Sequence, residues 1–175
     1  MSLLRHITTL TAAALLLAAT AGIARATDVS MAGGSVRFST PDNWIGIMQT
    51  DGDPEARVFQ VPDPSPSASN TLARVTVTVK QVGDIPGFQA YVEAAAAKAK
   101  GMTGYRPSDR APADPDSLAY SAQESGIPYE YVERYWFKNG HAIQLRCVRP
   151  AQSEAGVAWQ AAFDKGCAAI AAALQ

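Results

Sequence analysis

Apolar and polar residues alternate most regularly over Ala73–Lys80. Ala73, Val75, Val77 and Val79 fall on one side, and Arg74, Thr76, Thr78 and Lys80 on the other. A period of two predicts a strand with one wet face. Weaker alternation over Asp28–Phe38 predicts one strand carrying Val36 and Phe38, broken by Pro41-Asp42-Asn43. Trp44–Met48, Arg57–Val61 and Leu118–Gln123 read as further strands, and Asp51-Gly52-Asp53-Pro54 is a strong turn signal. Pro62–Asn70, rich in Pro and Ser, is expected to be a mobile loop, and Gly104–Ser117 a second loop rich in Pro and Asp. After Asp84 the period becomes helical. Phe88, Val92, Ala95 and Ala99 form one stripe, Asp84 is suited to cap it, Pro86 fits the first turn and Gly101 ends it.

The most closely specified local structure is a hairpin. Asn139-Gly140 is a preferred pair for a two-residue turn. It sets Lys138 opposite His141, Trp136 opposite Ile143, Arg134 opposite Leu145, Glu133 opposite Arg146 and Val132 opposite Cys147. One face then carries Val132, Arg134, Trp136, Ile143, Leu145 and Cys147. The other carries Tyr131, Tyr135, Phe137 and Ala142, with the Glu133–Arg146 pair among them. Glu154–Leu174 reads as a closing helix with the stripe Trp159, Phe163, Cys167, Ile170 and Leu174.

The first 26 residues change the picture from fold to compartment. Arg5 precedes an uncharged run, Ile7–Ile23, that ends in Ala24-Arg25-Ala26, a small-x-small site. This is the pattern of a signal peptide cleaved after Ala26. The run is diluted by Thr8, Thr9, Thr11, Thr20 and Gly22, unlike the roughly 20 strongly apolar residues of a spanning helix. The expected product, residues 27–175, is one α+β domain with no membrane attachment after cleavage. Arg5 and Arg25 leave with the leader, so the chain's net charge of −1 becomes −3. An acidic balance argues against nucleic acid as a partner. The Ala/Arg/Asp/Pro-leaning composition resembles bacterial proteins of high genomic GC content, which makes the periplasm the expected destination. Cys147 and Cys167 are the only cysteines, and an even count in an oxidising compartment predicts a disulfide. It would join the closing helix to the hairpin face that carries Cys147.

Val36-x-Phe38-x-x-Pro41-x-x-Trp44, the Tyr135-x-x-x-x-Gly140 hairpin and the helix ending Ile170–Leu174 resemble the PsbP-like family. That family includes the extrinsic photosystem protein, Ran-binding relatives and small bacterial envelope proteins. The resemblance spans most of residues 27–175. It implies an α+β fold, an antiparallel sheet with two packed helices as an αβα sandwich. It also implies a binding or accessory role, with no shared catalytic residues to carry over.

The residues that bear chemistry exclude more than they suggest. His141 is the one histidine after the leader and sits at the hairpin tip, so neither a His-rich zinc site nor a Ser-His-Asp triad is expected. Asp51–Glu55 lacks the spacing of a calcium loop. Asp109, Asp114 and Asp116 lie among prolines, in a context that would not raise a carboxyl pKa for glycoside hydrolysis. Gly33-Gly34 precedes a strand, so it supplies no helix dipole to a phosphate. No catalytic residue, metal or cofactor is expected.

What remains is Tyr129, Tyr131, Tyr135 and Phe137 with Arg134, Arg146 and Arg149 in and around the hairpin. Tyr and Arg are favoured at protein interfaces. The expected binding residues are Tyr131, Arg134, Tyr135, Phe137 and Arg146. The alternative is that the first helix covers this face and makes the aromatics core. The expected function is non-enzymatic: an exported module that binds another envelope protein, such as an immunity-type inhibitor of an envelope toxin or an accessory factor of an envelope complex. The rival is a carrier of a small hydrophobic ligand, with Trp44, Trp136 and Trp159 lining a pocket between sheet and helix.

Overall fold

The structure, a computed structural model, describes residues 26–109 and 116–175. The expected leader therefore lies outside the described residues apart from Ala26. In chain order the elements are β1 (Thr27–Met31), β2 (Val36–Thr40), β3 (Ile45–Thr50), β4 (Glu55–Gln60), β5 (Arg74–Gln81), α1 (Ile85–Lys100), β6 (Arg106–Pro107), β7 (Ser117–Glu124), β8 (Ile127–Lys138), β9 (His141–Pro150) and α2 (Gly156–Leu174). Strands β3-β4-β5-β9-β8-β7-β6 make one seven-stranded sheet in that order. Every pairing in it is antiparallel. The fold class is α+β.

The β8–β9 hairpin has the register that Asn139-Gly140 dictates, including Glu133 opposite Arg146 and Val132 opposite Cys147. Both turn residues have positive φ, 52° and 76°, as this tight turn requires. Because successive side chains alternate across a sheet, the two faces separate cleanly. Val75, Val77, Val79, Ile143, Leu145 and Cys147 face α2, and its Phe163, Cys167, Ile170 and Leu174 bury against them. Tyr135 and Ala142 face the other way and pack on Phe88 of α1, with Val92 and Ala95 beside it. Asp84 caps α1 by accepting from the Gly87 N–H at 2.8 Å. Gly87 must be glycine, since a Cβ there would meet the Val82 carbonyl oxygen at 2.3 Å.

Two expectations are corrected. Asp28–Phe38 is not one strand: β1 and β2 pair as a separate hairpin around a short 3-10 turn, Ala32–Gly34. Ala32, Gly33 and Gly34 all have positive φ, which reverses the chain where the alternation is weakest. Trp44 precedes its strand rather than opening it, and is buried in the core under α2. Its ring stacks on Phe163 with centroids 6.3 Å apart. The close approach explains Gly166, where a Cβ would sit 2.5 Å from the Trp44 ring. The Pro62–Asn70 loop carries a 3-10 turn, Pro66–Ser69, and is tied to α2. Trp159 Nε1 donates to the Pro62 carbonyl at 2.9 Å, and Ser153 Oγ to Asp63 at 2.5 Å.

Candidate functional site

The aromatic residues of the hairpin come together, but under α1 rather than at the surface. Tyr131 and Tyr135 are buried, Phe137 is half-buried against Phe88, and Tyr91 of α1 meets Tyr135 edge-on. The centre of this layer is Glu133, only 3% exposed. Tyr120 donates to its carboxylate at 2.6 Å, Gln144 at 2.9 Å, and Tyr135 by a short hydrogen bond. Tyr91 donates to Gln144 at 2.9 Å, which extends the network to the helix. Arg146 Nε lies 3.0 Å from Glu133, a charge contact without hydrogen-bond alignment, and its guanidinium covers the Tyr131 ring at 5.1 Å.

A second carboxylate, Glu124, takes Arg74 at 2.5 Å and Tyr131 at 2.5 Å. Burial alone would raise its pKa, but the donors from Arg74 and Tyr131 outweigh that and hold it below the usual value. The tyrosines move the other way. Burial and the Glu133 charge lift Tyr91 to about 12. Burial and the same carboxylate push Tyr120 and Tyr135 higher, and burial with Glu124 does so for Tyr131. Phenols held neutral and donating to these carboxylates make a cross-linked polar layer that fixes α1 on the sheet.

Arg134 faces the opposite side, with its guanidinium 5.4 Å over the Trp136 ring. It lines a cleft of about 580 Å³ between α2 and the β7–β9 part of the sheet. Ala119, Val132, Leu145 and the Cys147–Cys167 disulfide form its floor and one wall, and Phe163, Ala168 and Ala171 the helix side. Arg149, nearly buried, bridges Glu130 at 2.6 Å and Asp164 at 3.3 Å across one end. Trp44 and Trp159 pack with Phe163 in the core, whereas Trp136 borders a different depression with Leu174 and Lys138. Trp136 also packs against the core that holds Trp44 and Trp159, and none of the three lines the cleft under α2.

Among the described residues, exposed large apolar side chains concentrate elsewhere, on β3. Ile45, Ile47 and Met48 are 52%, 44% and 56% exposed. β3 is an outer strand of the sheet, paired on one side with β4. Its register shifts between Gly46 and Met48, so Ile47 sits in a bulge. Asp42, Asp51 and Asp53 flank the strand and are exposed. Nothing in the alternation distinguishes Ile45–Met48 from a core strand; its position at the sheet's edge is what exposes it.

His141 is half-buried at the hairpin tip, its Nδ1 2.9 Å from the Asn139 carbonyl. Asp109 and Asp116 are exposed, and Asp114 lies outside the described residues. Asp51 pairs with Arg57 at 3.0 Å. Cys147 and Cys167 are bonded, with Cα atoms 6.4 Å apart. Among the described residues no group of three or more His, Cys, Asp or Glu is placed to hold a metal ion, and no helix is long and apolar enough to cross a membrane. Fold and site together define an α+β domain with one covered aromatic face, a cleft under α2 and an apolar outer strand. In comparison with known proteins, the chain matches no family model and no curated protein.

Proposed function

We propose that this protein is a non-enzymatic binding module of the cell envelope that captures an extended segment of another protein along β3. The observation that carries it is the exposed trio Ile45, Ile47 and Met48 on an outer strand. Such a strand offers open backbone donors and acceptors beside apolar side chains, the requirements for adding a partner strand. Exposed patches of this kind on otherwise well-packed domains mark interaction sites. The carboxylates of Asp42 and Asp53 near it favour a segment with Lys or Arg flanking its apolar residues.

Export to the periplasm is part of the same proposal. It rests on the pattern of residues 1–26, and a disulfide-bonded domain is compatible with it. The PsbP-like resemblance supports an accessory role by analogy. An immunity-type inhibitor and an assembly factor of an envelope complex both fit, and the partner's own activity distinguishes them.

The test is co-purification of the C-terminally tagged full chain from its host's envelope, beside the double variant Ile47→Lys, Met48→Lys. A stoichiometric partner whose recovery falls at least tenfold with the variant, at unchanged thermal stability, is the expected result. Equal recovery with both proteins would remove β3 as the docking strand.

A further inference from the structure

The bulge in β3 decides which way its side chains point. Ile45 and Met48 stand three positions apart, so in a regular strand they would face opposite sides of the sheet. The register shift at Ile47 changes that, setting Ile45 opposite Gln60 and Met48 opposite Val58. Gln60 and Val58 alternate along β4 and share a face, and residues directly opposite one another share a face too. The bulge therefore turns Ile45 and Met48 to the same side, a re-aiming that bulges commonly perform. From Val58 the register continues through Thr76 to Arg146 and Glu133, which makes this the α1 side of the sheet. A strand added to β3 would lay its alternate side chains beside this pair.

Among the described residues Met48 is also the methionine most open to solvent. It is 56% exposed, whereas Met31 is 1% exposed in the core. Met102 is half-buried, and its sulfur lies 3.9 Å from both the Tyr120 hydroxyl and the Arg146 guanidinium. A solvent-facing thioether reacts with hydrogen peroxide. The sulfur lone pair bonds one peroxide oxygen, the O–O bond breaks, and the other oxygen leaves as water. Sulfur is oxidised by two electrons and the peroxide is reduced by two. The sulfoxide puts a strong dipole where the side chain was flexible and apolar. Beside Ile45, that dipole would lose its water to the apolar side chains of a captured segment, which is unfavourable without a new hydrogen bond.

We infer that Met48 is an oxidation site that controls docking on β3: a peroxide converts its thioether to the sulfoxide and so weakens capture of the partner segment. This inference rests on the reading of β3 as the docking strand.

The test needs no variant. The tagged full chain is partially oxidised with hydrogen peroxide, freed of it, and mixed with its envelope partner. Partner-bound and free protein are then separated by size, and peptide mass spectrometry follows each methionine. Met48 should oxidise ahead of Met102 and at least tenfold faster than Met31. Its sulfoxide should be enriched at least fivefold in the free fraction, while Met102 sulfoxide divides equally. Met48→Leu should remove the peroxide response, read as the ratio of partner recovery after and before treatment, whatever its starting level. Equal Met48 sulfoxide in the two fractions, or Met48 oxidising no faster than Met31, would overturn the inference and leave docking on β3 intact. Absence of any complex, or unchanged recovery with the Ile47→Lys, Met48→Lys variant, would remove the docking reading and this inference with it.

Discussion

Glu133 shows how much one side chain organises here. A buried carboxylate is costly unless donors and countercharge surround it, and Tyr120, Tyr135, Gln144 and Arg146 do so. Tyr135→Phe removes one donor and leaves the carboxylate short. We expect a loss of about 1–2 kcal/mol in chemical denaturation, with no effect on partner capture, because Tyr135 is buried. Glu124 sets an acid limit. Its carboxyl is held below the usual range when folded, so the unfolded chain binds its proton first as pH falls. Its contribution is complete above the unfolded carboxyl pKa and is lost as pH drops through the lower folded value. Thermal melts from pH 7 to pH 3 should show a shallower acid loss for Glu124→Gln than for the natural protein. An equal loss in the two proteins would mean that other carboxylates govern the acid limit. The Glu133–Arg146 pairing was legible from the hairpin register. The three tyrosines that reach into those two carboxylates were not, because phenol reach depends on packing between β7, β8 and α1.

At the scale of elements, sequence and structure agree where local chemistry is strong. Asn139-Gly140 fixed a register, Asp84 capped a helix, and the Trp159–Leu174 stripe defined the buried side of α2. They diverge where long-range pairing decides. Asp28–Phe38 divides because Gly33-Gly34 permit a reversal that β1–β2 pairing exploits. The aromatic face is core because α1 lies over it, and no period within the hairpin reveals which helix lands on which face. The cleft was equally hidden, since it depends on how far α2 extends across the sheet. The disulfide joins these two kinds of element, tying α2 to β9 across a separation of 20 residues. Replacing both cysteines with Ala should cost about 3 kcal/mol, read as a lower denaturant midpoint. An unchanged midpoint would mean that the Phe163 and Ile170 packing alone holds the helix.

For the whole molecule, two features among the described residues stand apart from the covered faces. One is the cleft under α2; the other is an outer strand whose apolar side chains are exposed. A protein that keeps Ile45, Ile47 and Met48 at the sheet's edge presents a pairing surface that monomeric folds usually blunt with charge or proline. On the proposed reading, the carboxylates around it disfavour self-association and favour a basic partner. The most direct measurement is hydrogen exchange of the protein alone and in complex with its co-purified envelope partner. The account predicts that amides of residues 45–50 gain protection in the complex, while those of α1 and the β8–β9 hairpin do not change. Protection confined to α1 or the hairpin, with β3 still exchanging freely, would contradict it.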